Sequence, residues 1–424
     1  MFKKPFGGLL ALCVLLAACA PLAARPTSGT EPVSTIQAAE QATPQGTSTN
    51  SSGATVLTVW LPPRFDPNAG TLAANMLQDR LDEFSSQNQQ IRLEVRVKAQ
   101  EGQGRLLDAL LAAKAAAPLA QPDVVLLPHN QLGEAVSNQA LLPLMSLTGS
   151  LDTEDWYPFA AQMGKVDGQT YALPFAADAL IMVYRPAAIE QIPKTWDDLL
   201  GGQYALGFSA ADPRANFAWH QILSLPGVDP TDSQEIRSED LLSMVDFLAN
   251  GSERGLFPFW LTQYETSEQS WGAFNEGRVP ALATWSSLAF DSRNVDIHAT
   301  PLPTADGRDF AVLRGWVWAI STAQTDHLDP ATKLIDFLTQ PEFMAQWTAA
   351  AGLLPPRQSS LAAWSPDARQ VLASQIVHNA VALPQLRATD SLGSALSQAT
   401  VGLLKQELTP GEAMALLEEE LSEP

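Results

Sequence analysis

The pattern of apolar and polar positions divides the chain into an unpatterned head and a strongly patterned body. From residue 55 the segments alternate in kind. "TVLTVW", 55–60, is β-branched and closes on Trp60, which predicts a strand. "NMLQDRLDEF" places Met76, Leu77, Leu81 and Phe84 at helical spacing. "IRLEVRV", 91–97, alternates with a period of two, a strand with one wet face. "LLDALLAAKAAA", 106–117, reads as a helix stopped by Pro118, and "DVVLLP", 123–128, as a buried strand. Strand, helix, strand, helix, strand at these intervals predicts a parallel sheet with crossover helices. Alternation restarts in mid-chain. "PKTWDDLL" opens a helix, and "YALGFS", 204–209, reads as a strand. "NFAWHQIL" and "SEDLLSMVDFLA" read as helices, and "SWGAFNEGRVPALATWSS" as a helix, a turn at Glu276-Gly277 and a strand ending near Thr284. "VDIHATPLP", 295–303, reads as extended and "WVWAIS", 316–321, as a strand. Two helices meeting at Pro341 and a helical C-terminus follow. No internal repeat is evident. The fold class is α/β, in two lobes.

One segment breaks the pattern. "DGQTYALPFAADALIMVY", Asp167 to Tyr184, starts at a turn and continues through fourteen residues, 171–184, with one ionisable side chain, Asp178. A buried strand can be that apolar, but a bare carboxylate inside it needs a partner or water. Either Asp178 lies at a strand end, or the strand crosses an open cleft.

Length supports two lobes, because 424 residues exceed one ordinary core. The charge balance, 46 acidic against 25 basic residues, argues against nucleic acid or an anionic lipid surface as the main partner. The head is different in kind. Lys3 and Lys4 precede an apolar run, Leu9 to Leu16, that ends in "LAAC" at Cys19. That is the layout of a secretory signal, and it resembles the bacterial lipobox, in which the cysteine becomes the acylated N-terminus. Removal of residues 1–18 would take the net charge from −21 to −23 and leave Cys19 as the one cysteine. A fold exported without disulfides relies on its core, and the thiol is free to carry lipid. Residues 19–54, rich in Ser, Thr, Pro, Gly, Gln and Ala, read as a flexible tether.

Motifs of catalysis are missing. "GFSAA", 207–211, lacks the second Gly of a nucleophile elbow, and "GQGRLL", 102–107, lacks the third Gly of a dinucleotide fingerprint. The histidines, at 129, 220, 298, 327 and 378, have no metal-ligand spacing. The expectation is a protein with no cofactor, no metal and no chemistry of its own.

The order of local motifs resembles the extracellular solute-binding family of ABC importers that includes maltose-binding protein. "KVDGQTYALPFAADALIMVYRPAAIEQIPKTWDDLL" is similar to that family's hairpin, hinge strand and "P-x-T-W-[DE]-[DE]-L" helix start. "DVVLLP" with "NQALLPL", "AFNEGRVPALATWSS" and "GWVWAIS…ATKLIDFLTQPEFMAQW" resemble three further family segments, so the likeness covers roughly 55 to 424. Departures occur. The family's Gly-Gly before the last strand is Arg314-Gly315, its Met after the "F-x-x-G" strand Ala is Leu282, its sugar-gripping Asp-Arg pair falls on Asn130 and Gln131, and its hinge Glu falls on Asp178.

The resemblance implies a two-lobed periplasmic-binding-protein-like fold, each lobe a mixed, mostly parallel sheet flanked by helices. Residues 55–175 with 302–340 would form one lobe and 176–301 with 341–424 the other, with crossings near 174–178, 299–303 and 338–342. It implies a lipid-anchored, extracytoplasmic, monomeric receptor that closes on a sugar or similar solute and delivers it to permease subunits. A secreted hydrolase and a sensory module for a membrane kinase are the other readings. Ligands of open α/β sheets sit beyond the carboxyl ends of strands. Aromatic faces suit sugar rings, and Asp, Asn, Gln and Arg suit hydroxyls. The expected contacts are therefore Trp60, Arg64, His129, Asn130, Gln131, Asp178, Asp212, Arg214, Trp219, Trp285 and Trp316.

Overall fold

The structure is a computed structural model. It describes residues 54–422 apart from 101, 103, 145–150, 152, 230–235, 293–295 and 384–387. The expected signal peptide, Cys19 and nearly all of the tether lie outside the described residues.

The strands, in chain order, are β1 (Thr55–Leu61), β2 (Ile91–Val97), β3 (Val124–Pro128), β4 (Lys165–Val166), β5 (Gln169–Thr170), β6 (Ala172–Tyr184), β7 (Leu206–Gly207), β8 (Ala281–Trp285), β9 (His298–Pro301), β10 (Ala311–Ile320) and β11 (Ala380–Ala382). β4 and β5 form a small hairpin across the Asp167-Gly168 turn. The others make one mixed sheet in the order β2-β1-β3-β10-β6-β8-β7, with β11 beside β10 and β9 beside β6. β1 runs parallel to both β2 and β3, as the crossover spacing predicts. β10 runs antiparallel to β3 and to β6.

The apolar segment around Asp178 is a single strand of thirteen buried residues. Its partners change along its length. Residues 172–179 pair with β10, whereas 180–184 pair with β8, and 181–184 with β9 on the other side. Both of its faces are covered, so successive side chains enter different cores. Ala179, Ile181 and Val183 belong to one, and Leu180, Met182 and Tyr184 to the other.

The first core holds Leu57, Val125, Phe175 and Trp318; the second holds Phe208, Phe217, Phe257 and Leu396. Each such side chain contributes about 1.5–3 kcal/mol on burial. The chain passes between cores where β6, β10 and β11 lie side by side. Leu313 of β10 pairs with both Ala179 of β6 and Ala382 of β11. At 338–342 the chain stays in the first core, because Leu338, Phe343 and Trp347 all pack there. Phe65 and Phe175 flank Trp347 at 5.5 and 4.5 Å, and its indole N–H donates to Ala73 O at 2.9 Å. Residues 353–377 follow it into the first core, and Leu392 onward joins the second.

Local rules explain most element ends. The helix expected at "PKTWDDLL" starts at Trp196 with a capping box, in which Thr195 Oγ1 accepts from the Asp198 amide and Asp198 accepts from the Thr195 amide. The helix Pro341–Ala351 begins on its proline and ends at Gly352, whose φ is +64°. Two expectations differ from the structure. "YALGFS" is paired only at Leu206–Gly207, and the strand expected at 316–321 begins five residues earlier, at Ala311. That extra half is what brings Arg314 opposite Asp178.

Candidate functional site

Asp178 and Arg314 are partners across the antiparallel β6–β10 ladder. The Asp178 side chain has no exposure, while that of Arg314 is 31 % exposed. Arg314 donates to Asp178 Oδ2 through Nε at 3.1 Å and Nη2 at 2.8 Å. The Ser287 hydroxyl donates to the same oxygen at 2.8 Å. Oδ1 accepts from the Ser286 hydroxyl and the Ser287 amide, both at 2.9 Å. Burial alone would push this carboxyl up. The charges of Arg314 and Arg64 and the Ser287 hydrogen bonds outweigh it, so Asp178 is held below the usual carboxylate range. Asp178 is thus neither wet nor capped by amides alone. Its oxygens accept five hydrogen bonds from the protein, two of which hold Arg314 in place.

Arg314 carries its charge into a cleft where the two cores meet. Its guanidinium lies 4.3 Å from the centre of the Trp285 ring, on the last residue of β8. Trp316, two residues along β10, stands 5.9 Å from it, and Arg64 lies 5.6 Å from the Trp316 ring. Gly315 lets the strand run closely here. A Cβ at 315 would lie 3.2 Å from Ala176 O and 2.6 Å from Met163 Cε. The cleft encloses about 750 Å³ measured out to its mouth, and Arg314, Trp316, Trp285, Trp219, Arg214 and Asn130 are among its walls.

Six of the residues expected from sequence therefore line one cleft: His129, Asn130, Arg214, Trp219, Trp285 and Trp316. His129 is buried, with Nε2 3.0 Å from Leu383 O, and burial pushes its pKa down to about 4, so it is neutral. Arg64 is exposed to water beside Trp316 and is not among the cleft walls. Enough protein surrounds it that desolvation, then the like charge of Arg314, hold it below the usual arginine range, with Asp178 acting in the opposite sense. The rest do other work. Trp60 is 4 % exposed in the first core, with the Lys98 ammonium 4.4 Å above its ring. Gln131 lies in the short helical turn His129–Gln131 and is not among the cleft walls. Asp212 accepts from the Arg214 amide at 3.0 Å and from Asn216 Nδ2 at 2.6 Å, which fixes the turn into the helix Asn216–Leu223. Burial pushes the Asp212 carboxyl up.

Sequence reasoning did not single out Arg314, Gln100 or Asn216, all of which line the cleft. A signal for Arg314 existed, since it stands where the resembling family has glycine. Among the described residues no group of three or more His, Cys, Asp or Glu is placed to hold a metal ion.

Comparison with known proteins places this arrangement. A family profile described as bacterial extracellular solute-binding protein matches residues 79–373. The chain belongs to that family. It is 24% identical over 270 residues to the maltotriose-binding protein of Pyrococcus abyssi, covering 58% of this chain and 57% of that one. It is 24% identical over 242 residues to the maltooligosaccharide ABC transporter solute-binding lipoprotein of Streptococcus pneumoniae, covering 52% and 56%. It is 24% identical over 217 residues to the sn-glycerol-3-phosphate-binding periplasmic protein of Escherichia coli, covering 44% and 49%. The chain spans about half the length of the curated relatives it matches. Among solved structures it is similar to the sugar-binding protein MalE of Xanthomonas citri, with TM-score 0.71, 20% identity and 87% and 96% coverage. It is also similar to maltose-bound T. maritima MalE3, with TM-score 0.67, 20% identity and 87% and 99% coverage. These likenesses establish the two-lobed architecture expected from the sequence.

Proposed function

We propose that this chain is the receptor of an ATP-driven importer, a monomer held outside the cytoplasm by lipid on Cys19, that binds a sugar or sugar-like solute and passes it to membrane permease subunits. The observation that carries this reading is the cleft between the two cores. Three tryptophans, 219, 285 and 316, line it together with guanidinium and amide groups, at the place where β6 changes partners. Flat apolar rings beside polar groups match the alternation of apolar faces and hydroxyl edges on a sugar. Adjacent strands that join the cores are a hinge about which the walls would close on a solute. Closure removes water and strengthens the polar contacts inside. The chain is proposed to release its ligand unchanged. Family membership supports the reading, as do the printed names of relatives that bind maltotriose and maltooligosaccharides.

A thermal-shift panel of mono- and oligosaccharides, amino acids and phosphate esters tests it. A ligand at about 100 times its Kd stabilises the fold by about 2.7 kcal/mol. A shift confined to carbohydrate-type compounds supports the reading, and one confined to amino acids overturns it.

A further inference from the structure

We infer that the solute bound in this cleft is an acidic sugar, one that carries a carboxylate or a phosphate; this rests on the receptor reading above. A neutral sugar hydroxyl both donates and accepts, so a site built for it offers acceptors as well as donors. This cleft offers mainly donors. Among the described residues no carboxylate is among its walls, whose charged members are Arg214 and Arg314. Two carboxylates that bond to wall residues are already committed. Asp178 takes five hydrogen bonds from Ser286, Ser287 and Arg314. Asp212 is taken by the amides of Arg214 and Asn216 and by the Asn216 side chain.

The donors are disposed for an anion. Asp178 accepts only from Nε and Nη2 of Arg314, so the Nη1 end of that guanidinium is left for a ligand. Arg64 stands over Trp316, and neither an ion pair nor a hydrogen bond ties it down among the described residues. Asp291 and Glu268 act on it electrostatically, and like Arg64 itself neither is among the cleft walls. The indole N–H of Trp316 is buried without a hydrogen-bond partner, although its residue lines the cleft. A buried donor left unmade is costly, and an acceptor on the ligand would satisfy it. Guanidinium groups suit the planar fork of a carboxylate and the oxygens of a phosphate equally well. The tryptophans would cover the apolar face of the ring that bears the anion. All of this sits in a chain whose net charge is −21, so a cationic cleft is a local departure from an acidic protein.

Calorimetric titration of the mature chain with digalacturonate, glucose 6-phosphate and maltotriose, at low and at about 0.5 M salt, decides the matter. The expected result is that one acidic probe binds about tenfold or more tighter than maltotriose and weakens as salt rises. Which acidic probe does so identifies the anion as carboxylate or phosphate. Arg64→Gln and Arg214→Gln are the test variants, because Arg314 also holds Asp178. Each should weaken the acidic probe about tenfold, the scale of one charged hydrogen bond, and weaken maltotriose by clearly less. Unchanged melting temperatures would show that both variants fold. If maltotriose binds as tightly as the better of the two acidic probes, the inference is overturned while the receptor reading stands. If none of the three binds saturably, both are overturned.

Discussion

Arg314→Met removes the charge that faces Asp178 and keeps most of the apolar stem. Two of the five hydrogen bonds to the carboxylate vanish, those from Nε at 3.1 Å and Nη2 at 2.8 Å. The Ser286 hydroxyl and the Ser287 amide and hydroxyl remain. Breaking a buried pair from one side costs about 3–5 kcal/mol, because the stranded charge stays desolvated. Three surviving donors place the expected loss at the lower end, about 3 kcal/mol. Urea unfolding followed by tryptophan fluorescence reads it, with Trp285 and Trp316 beside the change. Neutralising both partners, as Asp178→Asn with Arg314→Met, removes the stranded charge and should recover about 1 kcal/mol or more. The pH dependence fixes the sign. In the wild type the folded pKa of Asp178 is depressed, so its contribution is present above the ordinary carboxylate pKa and is lost as pH falls through the folded value. In Arg314→Met the Asp178 pKa rises instead, and the remaining contribution is lost as pH rises through it. The gap between the two proteins is therefore widest near neutrality and narrows below about pH 4. A loss under about 0.5 kcal/mol that does not change with pH would refute the account of a charged, buried anchor.

Three further expectations can be checked in the same way. Trp285→Ala deletes a ring that is 3 % exposed and stacked on Arg314, so stability should fall by about 3–5 kcal/mol and affinity by about 2 kcal/mol or more; normal affinity in the folded fraction would remove Trp285 from the site. His129, whose pKa is pushed down to about 4, binds its proton in the unfolded chain first, so stability should fall as pH drops from 6.5 toward 4, by about 1.4 kcal/mol per unit. His129→Gln should flatten that slope in a pH series of unfolding midpoints, and an unaltered slope would mean the imidazole is not held neutral. Cys19→Ser should free the protein from membranes with its melting temperature unchanged, as read by fractionation after a salt wash; retention on the membrane would contradict the lipid anchor.

The parts of the fold legible in the sequence were those set by short-range rules. β1 and β3 announce themselves as apolar runs, the helix at Trp196 by its Thr-x-x-Asp start, and the helix at Pro341 by its proline. The site was half legible, because strand ends carry cleft residues whatever the ligand. His129, Asn130 and Trp285 follow from that rule, while Trp60, at the end of β1, is drawn into the first core instead, and Trp316 lines the cleft from the middle of β10. What stayed hidden was pairing at long range. Asp178 meets Arg314 across 136 residues, and no local pattern states that the two are opposite. The extended reach of β10 was hidden for the same reason, since Ala311–Leu313 become strand through pairing with β11. The third connection between cores, expected at 338–342, lies at β11 because Phe343 and Trp347 find their partners in Phe65 and Phe175.

The central claim is that the cleft between the two cores captures a sugar-type solute without transforming it. Calorimetric titration of the mature chain with the carbohydrate selected by the thermal-shift panel, followed by chemical analysis of the recovered ligand, tests this most directly. The account predicts one saturable site, ligand recovered intact, and affinity lost in Trp316→Ala, whose ring lines the cleft. Conversion of the ligand, or binding that survives Trp316→Ala unchanged, would contradict it.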